Sequence, residues 1–272
     1  MVNLVRKPLN TGGGPNEEIS LCCLTNYSPN IIFKILETLS AHKSISIFEA
    51  SFYDFSVPRA TYQNVIDNSP EISISRPNHI NLRRLLSKKV LFGIKLVTDF
   101  QGVPIVVGLK PYIWQDCVIY NIWTNQNDIY NEKIFSEDHA INNLYSYLAI
   151  FKDLVSNIDF SYAGYGNEIN FRLPQPQELV DNTGNLAFVS GFYSEQVLSL
   201  LNNEKIYKLL ESSEYEFIKG KGLFYIWTEQ IRGWLLKSRS YRPVQEWENF
   251  RDYILSIPGS QFSKLNDELR KV

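Results

Sequence analysis

Three histidines (His42, His79 and His139) and three cysteines (Cys22, Cys23 and Cys117) are the side chains best suited to metal or nucleophilic chemistry in this sequence. Zinc sites hold their ligands at short fixed spacings. None of the histidines has a Cys or a second His within four residues, so the spacing predicts structural or surface histidines and no metal centre. Cysteine catalysis needs a partly exposed thiol beside a base. Cys117 instead leads into an apolar run, and Cys22 and Cys23 lie within another, Ile19 to Leu24. All three read as buried strand residues.

Other catalytic patterns also fail on spacing. A serine elbow reads G-x-S-x-G, and Ser190-Gly191 lacks the first glycine. A phosphate-cradling loop joins a strand to a helix. Gly12-Gly13-Gly14 has no strand before it, and Gly220-Lys221-Gly222 sits inside a hairpin pattern. The nearest approach to the acid-x-lysine pair of metal-dependent nucleases, Glu216 and Lys219, is one residue too long. The sequence therefore assigns no catalytic residue, no metal ligand and no cofactor.

Binding chemistry has a better candidate. Asp159 to Glu168 reads DFSYAGYGNE, a strand end in which small residues alternate with aromatics and open into a proline-bearing loop. Small residues beside aromatics let a partner approach closely. Tyr162, Tyr165 and Glu168, with Tyr193 of the following strand, are the predicted partner-binding residues; the plainer reading of the same segment is a strand-terminating turn. The basic cluster His79, Arg83, Arg84, Lys88 and Lys89 reads as a solvated helix face.

Composition narrows the class. Charge is nearly balanced, 27 basic against 29 acidic residues for a net −2, without the clustered basic surplus of a strong nucleic-acid binder. An odd cysteine count with two adjacent is no disulfide framework and predicts a reducing, cytoplasmic setting. The N-terminal stretch lacks a signal-peptide pattern, and no run approaches the roughly 20 apolar residues of a membrane helix. Sixteen Tyr, sixteen Phe and five Trp predict prominent β structure with a large aromatic core.

The elements follow from periodicity. Residues 1–17 read as a flexible glycine-bearing arm. A strand at Glu18–Asn26 precedes a helix capped by Ser28 and opened by Pro29, with Ile31, Ile32, Ile35, Leu36 and Leu39 on one face. Ser44–Phe55 alternates as a strand, apolar on the Phe48 and Phe52 side. A short strand at Glu71–Ser75 and a short helix at Asn78–Ser87 follow. Val90–Asp99, Val103–Leu109 and Asp116–Thr124 form a meander.

Ser136 caps a long helix whose apolar stripe is Ile141, Leu144, Tyr145, Leu148, Phe151 and Val155. Beyond it come strands at Phe160–Tyr165 and Leu186–Phe192, a helix capped by Ser194, a helix at Glu204–Leu210, and a hairpin of Tyr215–Ile218 with Leu223–Trp227. Three more helices begin near Thr228, near Pro243 and in the tail. Helices do not alternate with every strand, so the fold class is α+β, an antiparallel sheet packed on helices. The halves 18–130 and 131–272 leave room for two similar subdomains.

The order of a long helix running into DFSYAGYGNE, then LAFVSGFYSEQVLSLL, then a helix and YEFIKGKGLFYIWT resembles the bacterial immunity proteins of polymorphic toxin systems over residues 140–228. Those are small cytosolic α+β chains that bind and block a cognate toxin. The resemblance implies a non-enzymatic, intracellular protein-binding module with another protein as its partner. Two alternatives stay open on the residues alone: a hydrolase or transferase working through scattered carboxylates and tyrosines, and an accessory subunit of a defence or other assembly.

Overall fold

The computed structural model describes residues 16–42, 45–53, 72–75, 77–100, 103–113, 117–125, 129–130, 135–167, 188–201, 203–211 and 213–226. The three C-terminal helices expected beyond Trp227 and the loop 168–187 lie outside them. So does the expected arm, apart from Asn16 and Glu17, which open the first strand.

Ten strands form one sheet: β1 (Asn16–Cys23), β2 (Ser46–Tyr53), β3 (Ile72–Ser75), β4 (Val90–Phe100), β5 (Val103–Ile113), β6 (Val118–Asn125), β7 (Tyr162–Asn167), β8 (Ser190–Ser194), β9 (Glu214–Ile218) and β10 (Gly222–Ile226). The helices are α1 (Pro29–His42), α2 (His79–Leu86), α3 (Glu137–Asn157), α4 (Glu195–Leu198) and α5 (Asn203–Glu211). The fold is α+β, and every strand pairing is antiparallel.

The strand order is β3-β2-β4-β5-β6-β1-β7-β8-β10-β9. β1 is the pivot. It pairs with β6 on one side and with β7 on the other, Ile19 facing both Ile122 and Tyr165. The two halves of the chain thus share one continuous sheet. β6 and β7, both antiparallel to β1, run parallel to each other, and such a pair needs a long crossover; α3 is its helix.

Local chemistry explains the helices. The Ser136 hydroxyl accepts from His139 N at 3.2 Å, with Glu137 and Asp138 in the first turn of α3, where carboxylates suit the helix dipole. Asn78 Oδ1 accepts from Asn81 N at 2.8 Å and opens α2. Ser194 caps α4 in the same way.

Alternation splits β1, β6, β7, β8 and β10 between two cores. Helices α1, α2 and α3 cover the face that carries Ile19, Leu21, Ile94, Leu96, Leu109, Ile122 and Tyr165. The opposite face carries Cys22, Ile119, Tyr162, Tyr193 and Tyr225 under Val197, Leu201, Ile206 and Leu210 of the α4–α5 segment. Each fully buried aliphatic or aromatic side chain contributes about 1.5–3 kcal/mol.

Two details differ from simple periodicity. β2 carries a bulge between Ile47 and Glu49, so Phe48 is the extra residue. Ile45, Ile47, Ala50 and Phe52 therefore all meet the helix-side core, whereas unbroken alternation would put the first two on the other face. In α3 the buried face is wider than the predicted stripe. It includes Ala140, Asn143, Tyr147, Ile150 and Leu154, while Tyr145 is exposed.

Candidate interaction surface

The aromatic residues of DFSYAGYGNE do not form a surface. Tyr162 and Tyr193 face each other across β7 and β8, and both are fully buried. The Tyr193 ring stacks on Tyr225 at 6.2 Å, and the Tyr225 hydroxyl accepts from Phe188 N at 3.1 Å. Tyr165, three residues after Tyr162, points to the opposite core and is also fully buried. The expected anchors Tyr162, Tyr165 and Tyr193 are thus core residues, because β7 and β8, which carry them, are interior to the sheet and covered on both faces. Glu168 lies outside the described residues.

Tyr165 instead belongs to a polar cluster inside the helix-side core. Its hydroxyl donates to Glu17 Oε2 at 2.9 Å and lies 2.6 Å from the Tyr130 hydroxyl. Burial first, and the Glu17 carboxyl second, push the Tyr130, Tyr147 and Tyr165 hydroxyls well above their ordinary pKa. Glu17 is itself fully buried. A general acid or base must reach the proton it moves; this carboxyl is enclosed, so the cluster's work is to hold β1, β7 and the segment at Tyr130 together.

A second polar row crosses the centre of the sheet on the other face. Lys110, Asn121 and Ser20 are register neighbours on β5, β6 and β1. Ser20 Oγ and both amide atoms of Asn121 are buried and make no hydrogen bond among the described residues. The Lys110 ammonium sits 4.5 Å from the Phe92 ring centroid and 5.0 Å from that of Tyr112, and burial lowers its pKa.

A narrow apolar cleft, partly open to solvent, lies between α1, α3 and the sheet, lined by residues such as Leu39, Leu96, Thr98, Ile122, Tyr147 and Ile150. Walls as apolar as these offer little to position a reacting group. Cys22, Cys23 and Cys117 are buried and form no disulfide. Burial raises the Cys22 pKa and pushes Cys23 up to about 12, which leaves those two thiols protonated and poor nucleophiles. Among the described residues no group of three His, Cys, Asp or Glu side chains could hold a metal ion, and no helix is long and apolar enough to cross a membrane.

The exposed apolar residues are concentrated. Six large hydrophobic side chains stand open to solvent among the described residues, and four of them, Leu200, Tyr207, Tyr215 and Phe217, fall between positions 200 and 217. Tyr215 and Phe217 lie on β9, 53% and 63% exposed, with rings 6.1 Å apart and edge to face. Among the described residues β9 is a sheet edge, paired with β10 and with no other strand. Glu214 and Glu216 alternate with the two rings, so the acids share one face of the strand and the aromatics the other. On the acidic face Lys152 of α3 reaches Glu216 at 2.6 Å. Tyr207 stands on α5, whose Ile206 and Leu210 pack against the cluster that contains Tyr225, the register partner of Tyr215.

This hairpin is legible in the sequence; its exposed surface is less so. The signal was present in EYEFI, where aromatics alternate with acids and so share one face of the strand.

No protein-family model, curated protein or solved structure matches the chain.

Proposed function

We propose that the chain is a non-enzymatic protein-binding module whose partner docks at the β9 edge. The observation that carries this reading is the pair Tyr215 and Phe217, standing exposed on a strand whose outer backbone is unpaired among the described residues. Exposed edges are ordinarily blunted with charges, bulges or a cover. Here acids occupy one face of the edge, but two large rings are left uncovered on the other. Aromatics in such positions are the usual anchors of protein interfaces. The apolar lining of the α1–α3 cleft and the enclosure of Glu17 and Tyr165 weigh against the hydrolase or transferase reading.

The finer form of this proposal is an immunity protein that blocks a toxin in the cytoplasm of a bacterium. Its support is the element order from α3 through the β9–β10 hairpin, which resembles that family, together with three reduced thiols.

Affinity capture from a native lysate tests the reading, run with the full chain and with a Tyr207→Ser, Tyr215→Ser, Phe217→Ser triple variant shown to be folded. One stoichiometric partner held by the full chain and lost from the variant is expected. Equal retention by both, or an empty capture by the folded chain, overturns it.

A further inference from the structure

We infer that β9 receives an extended segment of the partner as an eleventh strand, and that this segment alternates Lys or Arg with apolar residues. The inference rests on the protein-binding reading above and specifies how the partner is recognised.

Three observations carry it. The outer edge of β9 offers backbone donors and acceptors that β10 does not use and that no other described strand pairs with, which is the requirement for strand addition. The five side chains of β9 then set what a neighbouring strand must present. Directly opposite residues meet on the same face, and opposite charges or ring contacts there are favourable. Glu214 and Glu216 are both exposed on the face toward α3, where Lys152 reaches Glu216. Residues docking on that face meet the Glu214 carboxylate and the outer side of the Glu216–Lys152 pair; two acids against one cation leave the face net negative, so a cation is favoured there, opposite Glu214 above all. On the other face they meet the Tyr215 and Phe217 rings, which favour aliphatic or aromatic side chains.

A second copy of this chain is the poorer occupant. Antiparallel self-pairing over all five residues of β9 sets Glu216 opposite its own copy, and like charges directly opposite are destabilising.

The test selects short random peptides displayed on phage against the full chain, and in parallel against a Glu214→Lys, Glu216→Lys variant checked for folding. Peptides that alternate Lys or Arg with apolar residues are expected from the full chain. They should bind the variant roughly tenfold more weakly, since two attractive cross-strand pairs become repulsive. N-methylation of alternate peptide amides, which leaves every side chain in place, should abolish binding. The inference is overturned if no peptide is selected, if the selected peptides are acidic or bind both proteins equally, or if N-methylated peptides bind unchanged. A lysate partner that is lost from the triple aromatic variant but binds the lysine variant normally would also overturn it, while leaving the protein-binding reading intact.

Discussion

The Tyr165 hydroxyl donates to the Glu17 carboxyl at 2.9 Å across 148 positions of sequence. With its proton committed there, Tyr165 accepts the hydrogen bond from Tyr130 at 2.6 Å. Tyr165→Phe removes one atom and strips a buried carboxyl of a donor and a buried hydroxyl of an acceptor. Leaving buried polar groups unsatisfied costs about 1–3 kcal/mol, more for a charged one. Urea denaturation should show a loss in that range. Tyr130→Phe leaves the Tyr165–Glu17 bond in place and should cost less. Equal losses would show that the pair does not act as a chain.

Buried tyrosines should also set an alkaline limit. Tyr27 is pushed up to about 12, and burial raises Tyr120, Tyr130, Tyr147, Tyr165, Tyr193 and Tyr225 as well. A raised folded-state pKa means that the native chain keeps a proton the unfolded chain releases. The stabilisation is then full below the unfolded value of about 10 and is lost as pH rises above it. Tyrosinate absorbance should lag in the native protein and then rise in one step together with loss of far-ultraviolet circular dichroism. A smooth titration with the fold intact would contradict the burial of these seven rings.

Local signals were legible where local chemistry decides. Ser136 and Ser194 cap the helices expected of them, and β4 and β5 pair through Phe100 and Val103 in the expected meander. Partner choice was not legible. Nothing in β1 says that it will bridge β6 and β7, so nothing near Tyr162 and Tyr165 says that their strand is interior. An aromatic strand end and an aromatic interior strand read alike until the sheet order is known. The β2 bulge shows the same limit, because one extra residue at Phe48 reverses the parity that alternation assigns to Ile45 and Ile47.

The Ser20–Asn121 pair arises only from that sheet order. Its orphaned atoms predict the outcome of a double substitution. Replacing both partners of a buried polar site by apolar groups of similar shape is close to neutral or stabilising. Ser20→Ala with Asn121→Leu should therefore hold or raise the melting temperature. A fall of more than about 4 °C, roughly 1–2 kcal/mol in a chain of this size, would show that these atoms hold a bound water or polar ligand.

Gly191 is fixed by Tyr225. A Cβ at position 191 would lie 2.6 Å from both Cζ and the hydroxyl oxygen of that ring. The ring has no easy retreat, since it is stacked on Tyr193 and its hydroxyl accepts from Phe188 N. Gly191→Ala should destabilise by about 1–3 kcal/mol through overpacking. Gly93→Ala provides the control, because a Cβ there meets only the Leu109 carbonyl at an ordinary 3.5 Å. In thermal melts of the two variants, Gly191→Ala should fall by several degrees and Gly93→Ala by less. If the order is reversed, Tyr225 is free to swing, and the aromatic stack beneath β10 does not hold the hairpin that presents Tyr215 and Phe217.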